Sequence, residues 1–290
     1  MKKLAVLGVL FPVILLTSSI AAAFDVTKVH NLVVFGDSLS DNGNSYAAVG
    51  LPKPPYFKGR WTNGYNWVDY FTKIAALPPA TAYLKNGGTN FAVGGSTSQL
   101  LGAQIAVYLA TVGGKADPND LFVIWIGAND FLAGINGNTT TANIGVEISA
   151  LALAGAQQFL LINVPDISLT PDIIAMGTGK ALAAKQFVAT VNKNLPSLVQ
   201  LLAPLFGVQI DLIDVNKLFM ELVNDPAIFG FKNSTGEAYN PKTGQEVPHP
   251  NQYVFWDGFH PTTKVHNLAA QTFETAAFPP PPVMQLGANP

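Results

Sequence analysis

An acyl-transferring serine needs a base to take its proton, a group that orients the base, and donors for the developing oxyanion. Candidates for the base are few. Of four histidines, His30 precedes an apolar run, His249 stands between prolines and His266 falls inside a helical pattern. His260 differs, because Asp257 stands three residues before it in a glycine-containing loop. That spacing lets the carboxylate fold back onto Nδ1 and leaves Nε2 free to act as base. The serine candidate is Ser38, in Gly36-Asp37-Ser38-Leu39-Ser40-Asp41 after the apolar run Val33-Val34-Phe35. Each stretch taken singly also has a structural reading. Ser38 or Asp37 can cap a following helix, and Pro261 gives Asp257 and His260 a place at a helix start.

The elements around these residues decide between the readings. Asn31 to Phe35 is β-branched and apolar, and predicts a buried strand that delivers Ser38 to the sheet edge where open α/β sheets bind ligands. Leu51 to Gly64 holds three prolines, two glycines and three aromatics, which predicts a structured loop. Its aromatics either line a substrate pocket or plug the loop onto the core. Asn66 to Ala76 has helical spacing. Asn90 to Thr97 reads as a short strand broken at Gly94-Gly95, where a backbone N–H can approach another group closely. Helical spacing resumes from Gln99 towards Thr111.

Leu121 to Ile126 is the clearest central strand, and it ends in Gly127-Ala128-Asn129-Asp130. A helix is expected over 143–156 and a strand over 158–164. A long helical pattern from Gly179 to Phe206 is expected to kink or divide at Pro196. A strand over 208–215 and a helix over 216–224 follow. From Asp225 to Trp256 regular structure is expected to stop, and a final helix runs from about Thr262 to Phe278. The alternation predicts an α/β fold with about five parallel strands and helices on both faces.

Composition narrows the function class. The 290 residues are 49% hydrophobic and 12% charged, with a net charge of −2 and a mean hydropathy of +0.28. Nothing suggests a nucleic-acid surface, whereas the sparse charge suits a large core or transient contact with a membrane surface. The absence of cysteine excludes disulfides, thiolate metal sites and a cysteine nucleophile. Lys2-Lys3, the apolar run Leu4 to Leu16 and the exit Ala21-Ala22-Ala23 read as a signal peptide, with export to the periplasm or beyond. The expected organisation is therefore a signal peptide at 1–23, one domain at 24–278 and a disordered Pro-rich tail at 279–290. Gly177-Thr178-Gly179-Lys180 fails as a phosphate loop, because Ile174 stands where the first glycine is required.

The blocks Gly36-Asp37-Ser38-Leu39-Ser40, Asn90-Phe91-Ala92-Val93-Gly94-Gly95, Gly127-Ala128-Asn129-Asp130 and Asp257-Gly258-Phe259-His260 occur in that order. Together they resemble the four blocks of the SGNH, or GDSL, hydrolases, and the resemblance covers nearly the whole mature chain. It implies a three-layer α/β/α flavodoxin-like fold. Ser38 is the implied nucleophile, His260 the base and Asp257 its orienting carboxylate. The Ser38 N–H, the Gly95 N–H and the Asn129 side chain are the implied oxyanion donors, with Gly94 as the alternative to Gly95. Asp37, Asp41 and Asp130 are expected to serve turns and caps. Ser40 replaces the last glycine of a G-x-S-x-G elbow, which separates the chain from the α/β-hydrolases. No metal or cofactor is implied. The segment Pro55 to Gly64 looks most like exported bacterial phospholipases, lysophospholipases and acyltransferases. The implied activity is a secreted serine esterase or lipase acting on acyl esters. Acyl transfer to an alcohol or sterol, a carbohydrate acetylesterase and an inactive binding module are the alternatives.

Overall fold

The structure is a computed structural model that describes residues 24–279. The expected signal peptide at 1–23, and all but the first residue of the expected tail, lie outside the described residues.

Four strands form one parallel sheet in the order β1 (Leu32–Gly36), β2 (Leu121–Trp125), β3 (Gln158–Ile162) and β4 (Gln209–Ile213). β1 and β2 are buried along their full length, as uninterrupted apolar runs covered on both faces must be. The sheet is one strand short of the expectation. Of the stretch predicted as a strand over 90–97 only Asn90 bridges, in parallel with Ala82 and with Val34, the latter at the open edge of β1. Phe91 and Val93 N–H donate to Val34 O and Gly36 O, but Gly36 N–H, the next donor of β1, goes to Gln104 and ends the ladder. Asn44 Nδ2 donates to the carbonyls of Asn90 and Ala92 at 2.8 Å each, and Gly94 N–H donates to Asp41. With that bridge counted, the second segment in sequence lies outside the first strand, which is the flavodoxin-like order with its second strand reduced to one residue.

Ten α-helices lie among the described residues. They are α1 (Asn44–Val49), α2 (Trp67–Ile74), α3 (Tyr83–Asn86), α4 (Leu101–Thr111), α5 (Ala128–Leu132), α6 (Gly137–Leu153), α7 (Pro171–Ala175), α8 (Thr178–Phe206), α9 (Val215–Asn224) and α10 (Thr263–Ala277). Alternation along the strands splits the core in two. Leu32, Val34, Val123 and Trp125 pack with Trp67 and Phe71 of α2 and Phe273 of α10. Val33, Phe35, Phe122 and Ile124 pack with Ile105 of α4, Ile148 of α6 and Val188 of α8. This is the expected three-layer arrangement.

Three local expectations need correction. α6 begins at Gly137, because the Asn136 side chain accepts from Thr139 N–H and caps a start that lacks apolar periodicity. Of the kink or division expected at Pro196, the division does not occur, since α8 runs as one helix through it. Its buried face (Phe187, Val188, Val191, Leu195, Leu202) continues past an exposed proline, and that packing outweighs the roughly 3 kcal/mol an interior proline costs. Regular structure also persists after Asp225. β5 (Asn233–Glu237) pairs in parallel with β8 (Tyr253–Phe255), and β6 (Tyr239–Asn240) pairs antiparallel with β7 (Gln245–Glu246). The polar composition hid them: the Asn240 side chain accepts from Lys242 and Thr243 N–H and closes the turn between β6 and β7.

From the C-terminal end of β1 the chain leaves towards the Asn90 edge, and from the end of β2 it leaves towards β3. The crevice between these departures is the switch point where doubly wound sheets bind ligands. No described helix is long and apolar enough to cross a membrane.

Candidate active site

Ser38 stands in the turn that follows β1. The turn is held from both sides. Gln104 of α4 accepts from Gly36 N–H at 2.9 Å and donates to Gly36 O at 2.8 Å. A side chain at Gly36 would meet Trp125 O at 2.3 Å, so only glycine fits where β1 leaves β2. Beyond Ser38, the buried Asp41 carboxylate accepts from the N–H groups of Gly43, Asn44 and Ser45 at 2.8, 2.7 and 3.0 Å. It also takes the Ser45 hydroxyl at 2.5 Å and Gly94 N–H at 2.9 Å. One carboxylate therefore starts α1 and pins the Gly94-Gly95 turn beside Ser38. Asp37 is buried and its carboxylate accepts from Leu39 N–H at 3.0 Å. Asp130 holds α5 by accepting from Ser98 N–H and from the hydroxyls of Ser98 and Thr140. Asp37 and Asp41 do the turn and cap work expected of them, whereas Asp130 ties α5 to Ser98 and to Thr140 of α6.

Asp257 and His260 share a tight loop before α10. The Asp257 carboxylate accepts from Phe259 N–H at 2.8 Å and His260 N–H at 2.7 Å. Its two oxygens lie 3.0 and 2.8 Å from His260 Nδ1. An Nδ1–H donor facing that carboxylate leaves Nε2 unprotonated, and Nε2 lies 2.9 Å from Ser38 Oγ. The Ser38 O–H thus donates to an imidazole whose opposite edge is held by a carboxylate. Burial works against the imidazolium, but the charge and hydrogen bonds of Asp257 outweigh it and raise the His260 pKa. Burial likewise opposes the Asp257 carboxylate, yet His260 and the converging donors hold it below the usual range.

Asn129 lies in the first turn of α5, immediately after β2, and its Nδ2 donates to Ser96 O at 3.0 Å. That bond ties Asn129 to the glycine turn and leaves its second amide hydrogen unspent. Of the two glycines, Gly94 uses its N–H on Asp41 and on the Ser45 hydroxyl. Gly95, at φ +79°, is exposed, and its N–H has no protein acceptor among the described residues; neither does that of Ser38.

Ser38, Asn129 and His260 line a cavity of about 260 Å³ that runs into the fold. Its remaining walls are largely apolar, among them Leu39, Trp125, Leu218, Phe219 and Val265. A second, more open groove shares His260 and Phe259 with it and is lined by Tyr56, Trp61 and Tyr239.

Two neighbours of the site were not singled out by the sequence. Tyr56 O–H donates to Asp257 Oδ2 at 2.5 Å, across 201 positions of sequence. The Trp61 ring lies 5.4 Å from the His260 ring at 31°. Both come from the aromatic loop after Ser38, which therefore lines the site rather than merely plugging the core. The loop is fixed by Arg60, which donates from Nε and Nη2 to the two Asp69 carboxylate oxygens at 2.7 and 2.6 Å. The only hint in the sequence was the crowding of aromatics there. No group of three or more metal-ligating side chains occurs among the described residues.

The chain is 29% identical to a phosphatidylcholine-sterol acyltransferase of Aeromonas hydrophila, across 90% of this chain and 94% of that one. It is 28% identical to a thermolabile hemolysin of Vibrio parahaemolyticus, across 86% of this chain and 64% of the relative. A lipase of Photorhabdus luminescens is 26% identical, but the match spans 89% of this chain and only about half (51%) of the lipase. Among solved structures, a lipolytic protein of the G-D-S-L family from Veillonella parvula shares the fold at a TM-score of 0.50 and 17% identity, over 84% of this chain and 96% of that one. The family model for GDSL-like lipase/acylhydrolase matches residues 32–273, and the chain belongs to that family.

Proposed function

We propose that the protein is an exported serine esterase that hydrolyses carboxylic esters of long acyl chains, in the manner of a lipase, phospholipase or lysophospholipase. One observation carries this reading: the hydrogen-bonded line from Asp257 through His260 to Ser38 ends at the wall of a deep apolar cavity. Ser38 Oγ attacks the ester carbonyl while His260 Nε2 takes its proton. The oxyanion is received by the N–H groups of Ser38 and Gly95 and by Asn129 Nδ2. His260 then returns the proton to the departing alcohol, and water releases the acyl group from Ser38 by the same path. Asp257 holds the ring in the required tautomer throughout.

The cavity favours a long acyl chain over acetyl, which would leave most of those walls uncovered, so the carbohydrate acetylesterase reading is the weaker one. An alcohol in place of water makes the same site an acyltransferase, and the name of the Aeromonas relative supports keeping that reaction open. The hydrogen-bonded line of Asp257, His260 and Ser38 supports the esterase reading over an inactive binding module. Export rests on the residue pattern of positions 1–23.

The test is hydrolysis of p-nitrophenyl acetate, octanoate and dodecanoate by the wild type and Ser38→Ala. Hydrolysis is expected to rise with chain length and to fall roughly a thousandfold or more in the variant. Equal rates in the two proteins overturn the mechanism, and a preference for acetate overturns the acyl-chain assignment.

A further inference from the structure

Three polar side chains line the acyl cavity without a part in the reaction; Asp37 is spent on Leu39 N–H and Thr170 on Ile167 O, which leaves His266 unpartnered. His266, on the first turns of α10, is 2% exposed and lines the cavity together with its helix neighbours Val265 and Ala269. Its Nδ1 is buried with no hydrogen-bond partner in the protein, and no protein group bonds Nε2 either. An aliphatic residue would fit among Leu218, Phe219 and Val265 without leaving a polar edge unmet. Burial, reinforced by the nearby His260, lowers the His266 pKa to about 3, so the ring is neutral wherever an esterase of this kind operates. A neutral imidazole has one N–H donor and one lone-pair acceptor. A methylene chain satisfies neither. Nδ1 is sealed from the cavity, so a ligand meets the ring at Nε2, and a hydroxyl group, both donor and acceptor, satisfies that nitrogen in either tautomer.

Resting on the esterase reading, we propose that His266 makes the cavity selective for acyl chains that carry a hydroxyl group part-way along, and that its ring hydrogen-bonds that hydroxyl. The substrate class is then the hydroxyacyl ester. A site built to bond a hydroxyl discriminates strongly against an analogue lacking it, because the unmatched polar group stays desolvated.

Two measurements on the full chain test this. In the first, kcat/KM is compared for p-nitrophenyl dodecanoate and for a series of hydroxydodecanoates in which the hydroxyl is moved along the chain. The wild type is expected to favour one hydroxyl position over the plain chain by about tenfold or more. His266→Leu is expected to bring that ratio close to one, and His266→Gln, which keeps a donor and an acceptor, to retain part of it. In the second, Ser38→Ala is titrated calorimetrically with dodecanoate and with the favoured hydroxydodecanoate, which reads selectivity without turnover. Absence of a favoured position in the wild type overturns the proposal, and so does an equal preference in folded His266→Leu. Should the leucine variant not fold, the wild-type scan and the glutamine variant decide it. Selective binding without hydrolysis of any ester upholds His266 and overturns the esterase reading alone.

Discussion

The Asp257 carboxylate receives four donors: two backbone N–H groups, the His260 ring and the Tyr56 hydroxyl. The tyrosine bond draws charge from the oxygen that faces Nδ1, and so moderates how far Asp257 raises the His260 pKa. Tyr56→Phe frees that oxygen. The imidazolium becomes better stabilised, and the acid limb of kcat/KM, which reports the loss of neutral His260, should move to higher pH by roughly half a unit or more. An unmoved limb in the pH–rate profile would show that Tyr56 only packs the loop. Asn129 gives a separate test, because an oxyanion exists only near the transition state. Asn129→Ala should lower kcat by roughly a hundredfold with little change in KM, and a change confined to KM argues against its assignment as donor. Ser38, Asp257 and His260 were legible as candidates because their blocks occur together and in order with the Gly95 and Asn129 blocks, whereas each block singly also read as a cap or helix start. Tyr56 was not, since no local rule reports a bond between residues 201 apart.

At the scale of elements, the site depends on turns that side chains hold in place of a sheet ladder. Asp41 is the clearest case, joining the start of α1 to the Gly94-Gly95 turn through five hydrogen bonds. Asp41→Ala leaves four N–H groups and a hydroxyl without that acceptor in a buried setting. It should cost about 2–4 kcal/mol of stability, measured by urea denaturation, and lower kcat by releasing the glycine turn. A loss below about 0.5 kcal/mol would mean that other acceptors serve these groups. The same substitution of side chains for ladder explains why Asn90 to Thr97 read as a strand and joins the sheet only at Asn90. Strand propensity described Phe91 to Val93, whose N–H groups reach Val34 O and Gly36 O, but Gln104 takes Gly36 N–H and Asp41 takes Gly94 N–H, and the ladder stops there. β1 and β2 were legible because a strand buried on both faces needs an unbroken apolar run. α8 was read only in part, because a proline rule applied locally cannot weigh the buried face on both sides of Pro196.

Over the whole molecule, burial of ionisable groups next to the sheet edge links stability to pH. Burial raises the Asp37 pKa to about 7, with Leu39 N–H and His260 opposing it, and burial raises that of Asp211 to about 6. His260 is also raised, whereas burial lowers His266 to about 3. The signs follow from which state holds more protons. Below about pH 6.5 the unfolded chain protonates His266 and the native one does not, so this group makes stability rise with pH. Above that pH the His266 contribution is complete. Asp37 and His260 then keep protons in the native state that the unfolded chain has already begun to release, so stability falls as pH rises from about 6.5 to 8. The Asp37 share of that fall is about 1 kcal/mol, given a native pKa near 7 against an unfolded value near 4. Asp37→Asn keeps the acceptor for Leu39 N–H and removes the titration. Urea denaturation at pH 6.5 and pH 8 should therefore show the wild type losing about 1 kcal/mol more than the variant between the two. Equal losses would mean that Asp37 is ionised throughout, its charge carried by the N–H donors of its own turn and by His260.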